Sequence, residues 1–153
     1  MLFYSILVGS AAIANNTGSS NNTGNSNRTT VNEQLLRSFS ERFPDAEQVA
    51  WDELPQTYVV NFIEHGVRSH IVFDKQGGFI SSTRYYQERN LPYYLVNILK
   101  KRYTGKTIFA VTEQTTGTGV EYFVKLQDDK VWLTIEMDSE GNLAVVEKYR
   151  KAI

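Results

Sequence analysis

The chain contains no cysteine. That excludes disulfides, thiol catalysis, cysteine-based zinc sites and any lipid anchor carried on a cysteine behind a leader peptide. It has only two histidines, His65 and His70. They lie across a predicted turn, so they do not form a ligand pair on one strand or helix. Charge of one sign is not in excess: 16 Lys and Arg stand against 17 Asp and Glu. No electrostatic case arises for a nucleic-acid partner or an anionic membrane surface. The long apolar run that crosses a bilayer, about 20 residues, is missing. So are a Gly-rich phosphate loop between a strand and a helix and a G-x-S-x-G elbow. Asp138-Ser139-Glu140 offers too few oxygens at the right spacing for calcium. These absences predict no catalytic residues, no metal, no cofactor and no enzymatic activity.

What is present begins with Met1 to Ala14, an uncharged and mostly apolar stretch ending in Ala12-Ile13-Ala14. It is too short to span a membrane, and its end fits the small-x-small cleavage rule. It reads as a signal peptide at 1–14 that lacks the usual basic start, and no membrane insertion is expected after its removal. Residues 15–30 are, apart from Arg28, Asn, Thr, Ser and Gly of low complexity with nothing apolar to bury, and read as a disordered tether. Asn15, Asn21 and Asn27 match the N-x-Thr acceptor pattern, which arises easily in such a composition.

Beyond the tether the sequence repeats itself. Asp74 lies 64 residues before Asp138, Gly77 64 before Gly141, and Tyr85 64 before Tyr149. Tyr58, Val60 and Phe62 fall over Tyr122, Val124 and Leu126 at the same spacing. A constant offset over nearly thirty residues predicts two tandem repeats, 31–88 and 89–153. Each is expected to hold one helix and a four-stranded antiparallel sheet, an α+β fold. Thr30 and Glu33 suggest a capping box, and Leu35, Leu36, Phe39 and Phe43 a helix over 31–43 stopped by Pro44. Strands are predicted at 46–53, 56–64, 66–74 and 79–86, with His65-Gly66 as a tight turn. A second helix starts at Asn90-Leu91-Pro92 and stops at Gly105. Strands follow near 107–114, 119–127, 130–138 and 142–150. Four additional residues in the second half are assigned to a Gly/Thr-rich, mobile hairpin loop at 113–119.

Period-two alternation separates the strand faces. Val131, Leu133, Ile135 and Met137 should meet a helix, as should Tyr58, Val60, Phe62 and their counterparts. The opposite face then carries Val59, Arg68, His70, Phe123, Lys125 and Trp132, the candidate binding residues. A bare tryptophan in water forfeits a few kcal/mol of burial, so something should cover Trp132. The covers considered are the other repeat, the 113–119 loop, a long Lys or Arg stem, or a protein or peptide partner. The fourth strands are mixed on both faces and are left open.

Phe43-Pro44-Asp45-Ala46, Val49-x-Trp51, Tyr58-x-Val60-x-Phe62, Phe73-Asp74-x-x-Gly77 and Leu91-Pro92 together resemble the PepSY-like, beta-lactamase-inhibitor-like proteins exported to the periplasm of Gram-negative bacteria. The resemblance covers about 31–150. It implies two sheets joined into a curved surface, and a sheet face that clamps a protein in the inhibitors sharing the fold. It implies neither a beta-lactamase nor any other named target. The expected function is an exported, periplasmic or secreted, binding module. The alternatives are a self-associating structural or envelope-stress protein with the patch buried in a homodimer, and, more remotely, a hydrolase with an unrecognised site.

Overall fold

The computed structural model describes residues 31–152. The signal-peptide and tether expectations at 1–14 and 15–30, the Asn15, Asn21 and Asn27 acceptor patterns, and the Thr30 cap lie outside the described residues. In chain order the elements are α1 (Glu33–Arg42), β1 (Glu47–Glu53), β2 (Thr57–Glu64), β3 (Val67–Asp74), β4 (Phe79–Tyr86), a single 3-10 turn (Glu88–Asn90), α2 (Tyr93–Arg102), β5 (Thr107–Thr116), β6 (Gly119–Gln127), β7 (Val131–Asp138) and β8 (Leu143–Arg150).

All eight strands join in one antiparallel meander, β1 through β8 in sequence order. This corrects the expected architecture of two repeats, each a helix with its own four-stranded sheet. The correction lies at β4 and β5, which pair without interruption from Ser81↔Thr116 to Tyr86↔Val111. Two sheets would each have left an open edge there, with unpaired backbone donors and acceptors. The residues expected to form a mobile loop at 113–119 close that edge instead. They lengthen β5 to Thr116, and only Gly117 and Thr118 remain as the turn to β6. β1, by comparison, spans seven residues and stays at the sheet's edge.

Local chemistry explains the remaining elements. Asn32 is the N-cap of α1: its side chain accepts from the Gln34 amide at 2.8 Å. Phe43 leaves the helix as its C-cap, ahead of Pro44. Pro92 is the N-cap of α2 rather than its first helical residue. His65 and Gly66 both have positive φ, 50° and 77°, the backbone a two-residue hairpin turn requires. Asp74 Oδ1 accepts from the Gln76 and Gly78 amides, and Asp138 Oδ1 accepts from Glu140 and Asn142 in the same way. Each such turn seats a positive-φ glycine, Gly77 or Gly141.

Both helices cover the same side of the sheet. α1 buries Phe39 against Val60, Phe62 and Ile71, and Leu35 against Tyr58. α2 buries Leu95, Val96 and Leu99 in a larger core with Val111, Val124, Leu126, Ile135 and Met137. That core also takes in Val67 and Tyr86 from the first four strands, so the halves share apolar burial as well as hydrogen bonds. α1 does not reach across the middle of the sheet. An open groove of about 650 Å³ runs beside it, over β2 to β5.

Candidate functional site

The register settles which residues share the uncovered side. His70 pairs with Asn61 and Thr83, and Arg68 with Ile63 and Tyr85. Tyr85 pairs with Thr112, Thr112 with Phe123, and Phe123 with Glu136. Lys125 pairs with Thr134, which is two residues along β7 from Trp132. Paired residues in an antiparallel ladder lie on the same face. Val59, Arg68, His70, Phe123, Lys125 and Trp132 therefore lie on one side, away from the helices.

They are not equivalent there. Val59, between Asp52 and Val72 on the flanking strands, is only 7 % exposed and offers almost no contact area. Arg68 and Lys125 are exposed, while Phe123 and His70 are half-buried. His70 Nδ1 lies 2.9 Å from Asn61 Oδ1, one link of a polar row running Asn61–His70–Thr83–Gln114–Glu121. His65 stays in its turn, with Nε2 3.3 Å from Asp45.

Trp132 is half-buried, and its cover is local. The Phe109 ring meets it edge-on at 4.9 Å, and the Lys151 ammonium sits 4.6 Å above it. Tyr149 is its register partner on β8. A lysine stem is one of the covers the sequence suggested; Phe109 was not among them. Its place follows from a bulge. Ile108 pairs with Leu126 and Ala110 with Lys125, leaving Phe109 as the unpaired residue between them. Simple alternation would group Phe109 with the buried Val111, and the bulge breaks that parity. No local signal in Ile108-Phe109-Ala110-Val111 marks it. The result is an aromatic patch, Phe109, Trp132 and Tyr149, with Tyr85 and Phe123 along the next rows of the same face.

The fourth strands also resolve. Arg84 pairs with Ser69, and Glu113 pairs with Arg84, on the helix side. Arg84 Nη1 donates to Glu113 Oε1 at 3.1 Å and Tyr86 Oη donates to Glu113 Oε2 at 2.6 Å. Burial, then the hydrogen bond to the Glu113 carboxylate, pushes the Tyr86 phenol far above its ordinary range. Burial, with the same carboxylate second, raises the Tyr122 phenol too. The tyrosine pairs at the junction divide their work. Tyr86 is core and Tyr94 Oη donates to the Ser139 carbonyl at 2.6 Å, while Tyr85 and Tyr93 are largely exposed.

Among the described residues, no group of three or more His, Asp and Glu side chains is placed to hold a metal ion. None of the described helices is long and apolar enough to cross a membrane. What the bare face can do chemically is bury aromatic area and exchange hydrogen bonds with another surface.

No protein-family model matches the sequence, and neither does any curated protein. Solved structures do match the fold. A BLIP-like protein from Bacteroides fragilis superposes with a TM-score of 0.57 at 15% identity, over 82% of this chain and 88% of that one. A DUF2874 family protein from Bacteroides ovatus gives 0.54 at 16% identity, over 83% and 89%. A Bacteroides eggerthii protein described as a "putative periplasmic" protein gives 0.54 at 13% identity, over 78% and 88%. At these identities the likeness is one of fold: this chain is folded like the BLIP-like and DUF2874 proteins.

Proposed function

We propose that the chain is an exported, non-enzymatic module that binds a protein or peptide through the bare face of its sheet. The observation that carries this reading is the patch of Phe109, Trp132 and Tyr149 on the side that neither helix covers. Phe109 and Tyr149 are each more than half exposed, and the exposed cations Arg68, opposite Tyr85, and Lys125, opposite Ala110, lie on the same face. Aromatic and basic side chains together are the usual anchors of an interface. Val59 is left out of the contact surface for its burial. Export rests on the 1–14 signal peptide and the 15–30 tether, and is supported by the fold-mate described as periplasmic. The BLIP-like fold supports an inhibitor-like use of the sheet without naming a target.

The test places a photo-crosslinking side chain at Phe123 and, as a control, at Phe79 on the helix side, in the exported protein. Crosslinks from 123 to a single protein species, absent from 79 and lost in a Trp132→Ala background, support the reading. Equal yields from both positions count against this face.

A second reading, self-association, is favoured by β8. It is an edge strand that leaves Val145, Val146 and Tyr149 largely exposed, and such edges pair readily with another copy. Sedimentation at micromolar concentration separates the two, since a strict monomer removes the second.

A further inference from the structure

The groove beside α1 lies on the opposite side of the sheet from the proposed protein-binding face, and its chemistry differs. We propose that it is a binding site for a small amphiphile with a carboxylate head and an apolar tail, seated head-first on Arg84 and Ser69.

The register orders its floor into rows. The first runs Phe62–Ser69–Arg84–Glu113, the next Ile71–Ser82–Thr115, and Phe73–Phe79 closes the far end. All of these line the groove, and Leu35 and Phe39 of α1 form its wall. The polar groups are gathered toward the β4–β5 end of the floor, with Ser69 beside them, and most of the apolar ones lie on β2 and β3 along α1. A volume of about 650 Å³ is that of sites holding drug-sized molecules.

Two observations point to a missing acceptor at the polar end. Ser69 is 5 % exposed, yet among the described residues its hydroxyl has no hydrogen-bond partner, and it lines the groove. No buried side-chain polar atom among the described residues lacks a partner, so this hydroxyl is open to the groove, where a ligand oxygen can accept from it. Arg84 commits Nη1 to Glu113 and has further donors left. Both Glu113 oxygens are already engaged, one by Arg84 and the other by the Tyr86 hydroxyl. The acidic partner is thus occupied, while the guanidinium and the serine hydroxyl still have donors to give. A carboxylate supplies acceptors to both, and charge-assisted pairs of this kind are the stronger hydrogen bonds. Arg42, on the groove wall and without an ion pair among the described residues, adds a second cation. Glu64 also lines the groove, at the end of β2, so an amine head is the competing chemistry and must be tested beside the acid.

The experiment is calorimetric titration of the full chain with decanoate, decanol and decylamine below their self-association concentrations. The expected result is saturable one-to-one binding of decanoate, tighter than that of decanol or decylamine. Arg84→Gln should weaken decanoate about tenfold or more and leave decanol within about twofold. Ser82→Leu, which fills the groove without removing a hydrogen bond, should abolish both. Circular dichroism checks that each variant folds; if Arg84→Gln does not, Ser69→Ala and Ser82→Leu carry the test. Absence of saturable decanoate binding overturns the proposal, as do preference for decylamine, or Ser69→Ala and Ser82→Leu binding decanoate as the unaltered chain does. None of these outcomes bears on the aromatic face, so failure here is separable from failure there.

Discussion

Arg84 and Glu113 are register partners across the β4–β5 seam, and the guanidinium donates to the carboxylate at 3.1 Å where the two halves of the chain meet. The pair is asymmetric: the Arg84 side chain is 43% exposed and that of Glu113 is 13%. Solvent screens the ionic part, so the attraction alone contributes little. The larger consequence is that Glu113 also accepts from buried Tyr86. Removing it strands the phenol's donor, which typically costs about 1–3 kcal/mol. Glu113→Ala should therefore destabilise more than Arg84→Gln, as measured by urea denaturation.

Because one continuous sheet and one shared core cross that seam, the halves should unfold together. Trp51 reports on the first four strands and Trp132 on the second. Single-tryptophan variants made by Trp51→Phe and Trp132→Phe should give coincident midpoints. Leu99→Ala, at a position 1% exposed in the larger core, should cost about 2–5 kcal/mol and move both reporters equally. A shift confined to Trp132 would mean that the seam does not couple the halves.

The shifted ionisations set limits at both ends of the pH scale. Tyr86 is held above its ordinary value by burial first and by Glu113 second. Its neutral form favours the fold, so this contribution is intact below about pH 10 and declines as the pH rises beyond it. Tyr86→Phe should flatten the alkaline limb of the stability curve. Asp128 is shifted the other way, by the Lys106 ammonium first and then by the Lys130 and Val131 amides. Its contribution is present above the usual aspartate range and is lost as the pH falls below it. Asp128→Asn should flatten the acid limb. Equilibrium unfolding from pH 2 to 11 reads both.

Gly77 and Gly141 occupy matching turns but should not tolerate alanine equally. Both have positive φ, 86° and 90°. A Cβ on Gly77 would meet Leu35 at an ordinary 3.9 Å, whereas one on Gly141 would come within 2.5 Å of Ile98 Cδ1. The backbone term, about 1–2 kcal/mol, is common to both. The contact with α2 is additional, and it falls because the Ile98 side chain can shift. Gly141→Ala should be the more destabilising in thermal melts, and an added Ile98→Val should narrow the difference.

These turns also mark what the sequence made legible. Asp-x-x-Gly at a spacing of 64 residues located the β3–β4 and β7–β8 turns, and alternation in β2, β6 and β7 separated the two faces. Those signals are local, since an aspartate folding back on its own turn needs nothing distant. The pairing of β4 with β5 is not local. Arg84, Ser82 and Thr115 look like surface residues until Ser69 and Glu113 are brought beside them. Reading the additional residues at 113–119 as a loop followed from their Gly and Thr content. In the fold their backbone groups are used by β4 and β6, and pairing outweighs composition. The groove was invisible for the same reason: its floor is assembled from four strands.

Phe109 was hidden by its bulge, and the bulge is open to test. If the ring lies on the bare face against Trp132, as the 4.9 Å edge-on contact places it, Phe109→Ala removes one aromatic contact from a half-exposed site. The loss should be modest, roughly 0.5–1.5 kcal/mol beyond a small burial term. Trp132 emission, read in a Trp51→Phe background, should shift to the red as its edge is wetted. If strict alternation held, Phe109 would stand with Val111 in the core, where truncation of a phenylalanine costs about 3–5 kcal/mol. Trp132 would then report nothing. A large loss of stability without a spectral shift would place Phe109 under α2 and remove the centre of the aromatic patch. The small loss with a red shift keeps it where a partner could reach it.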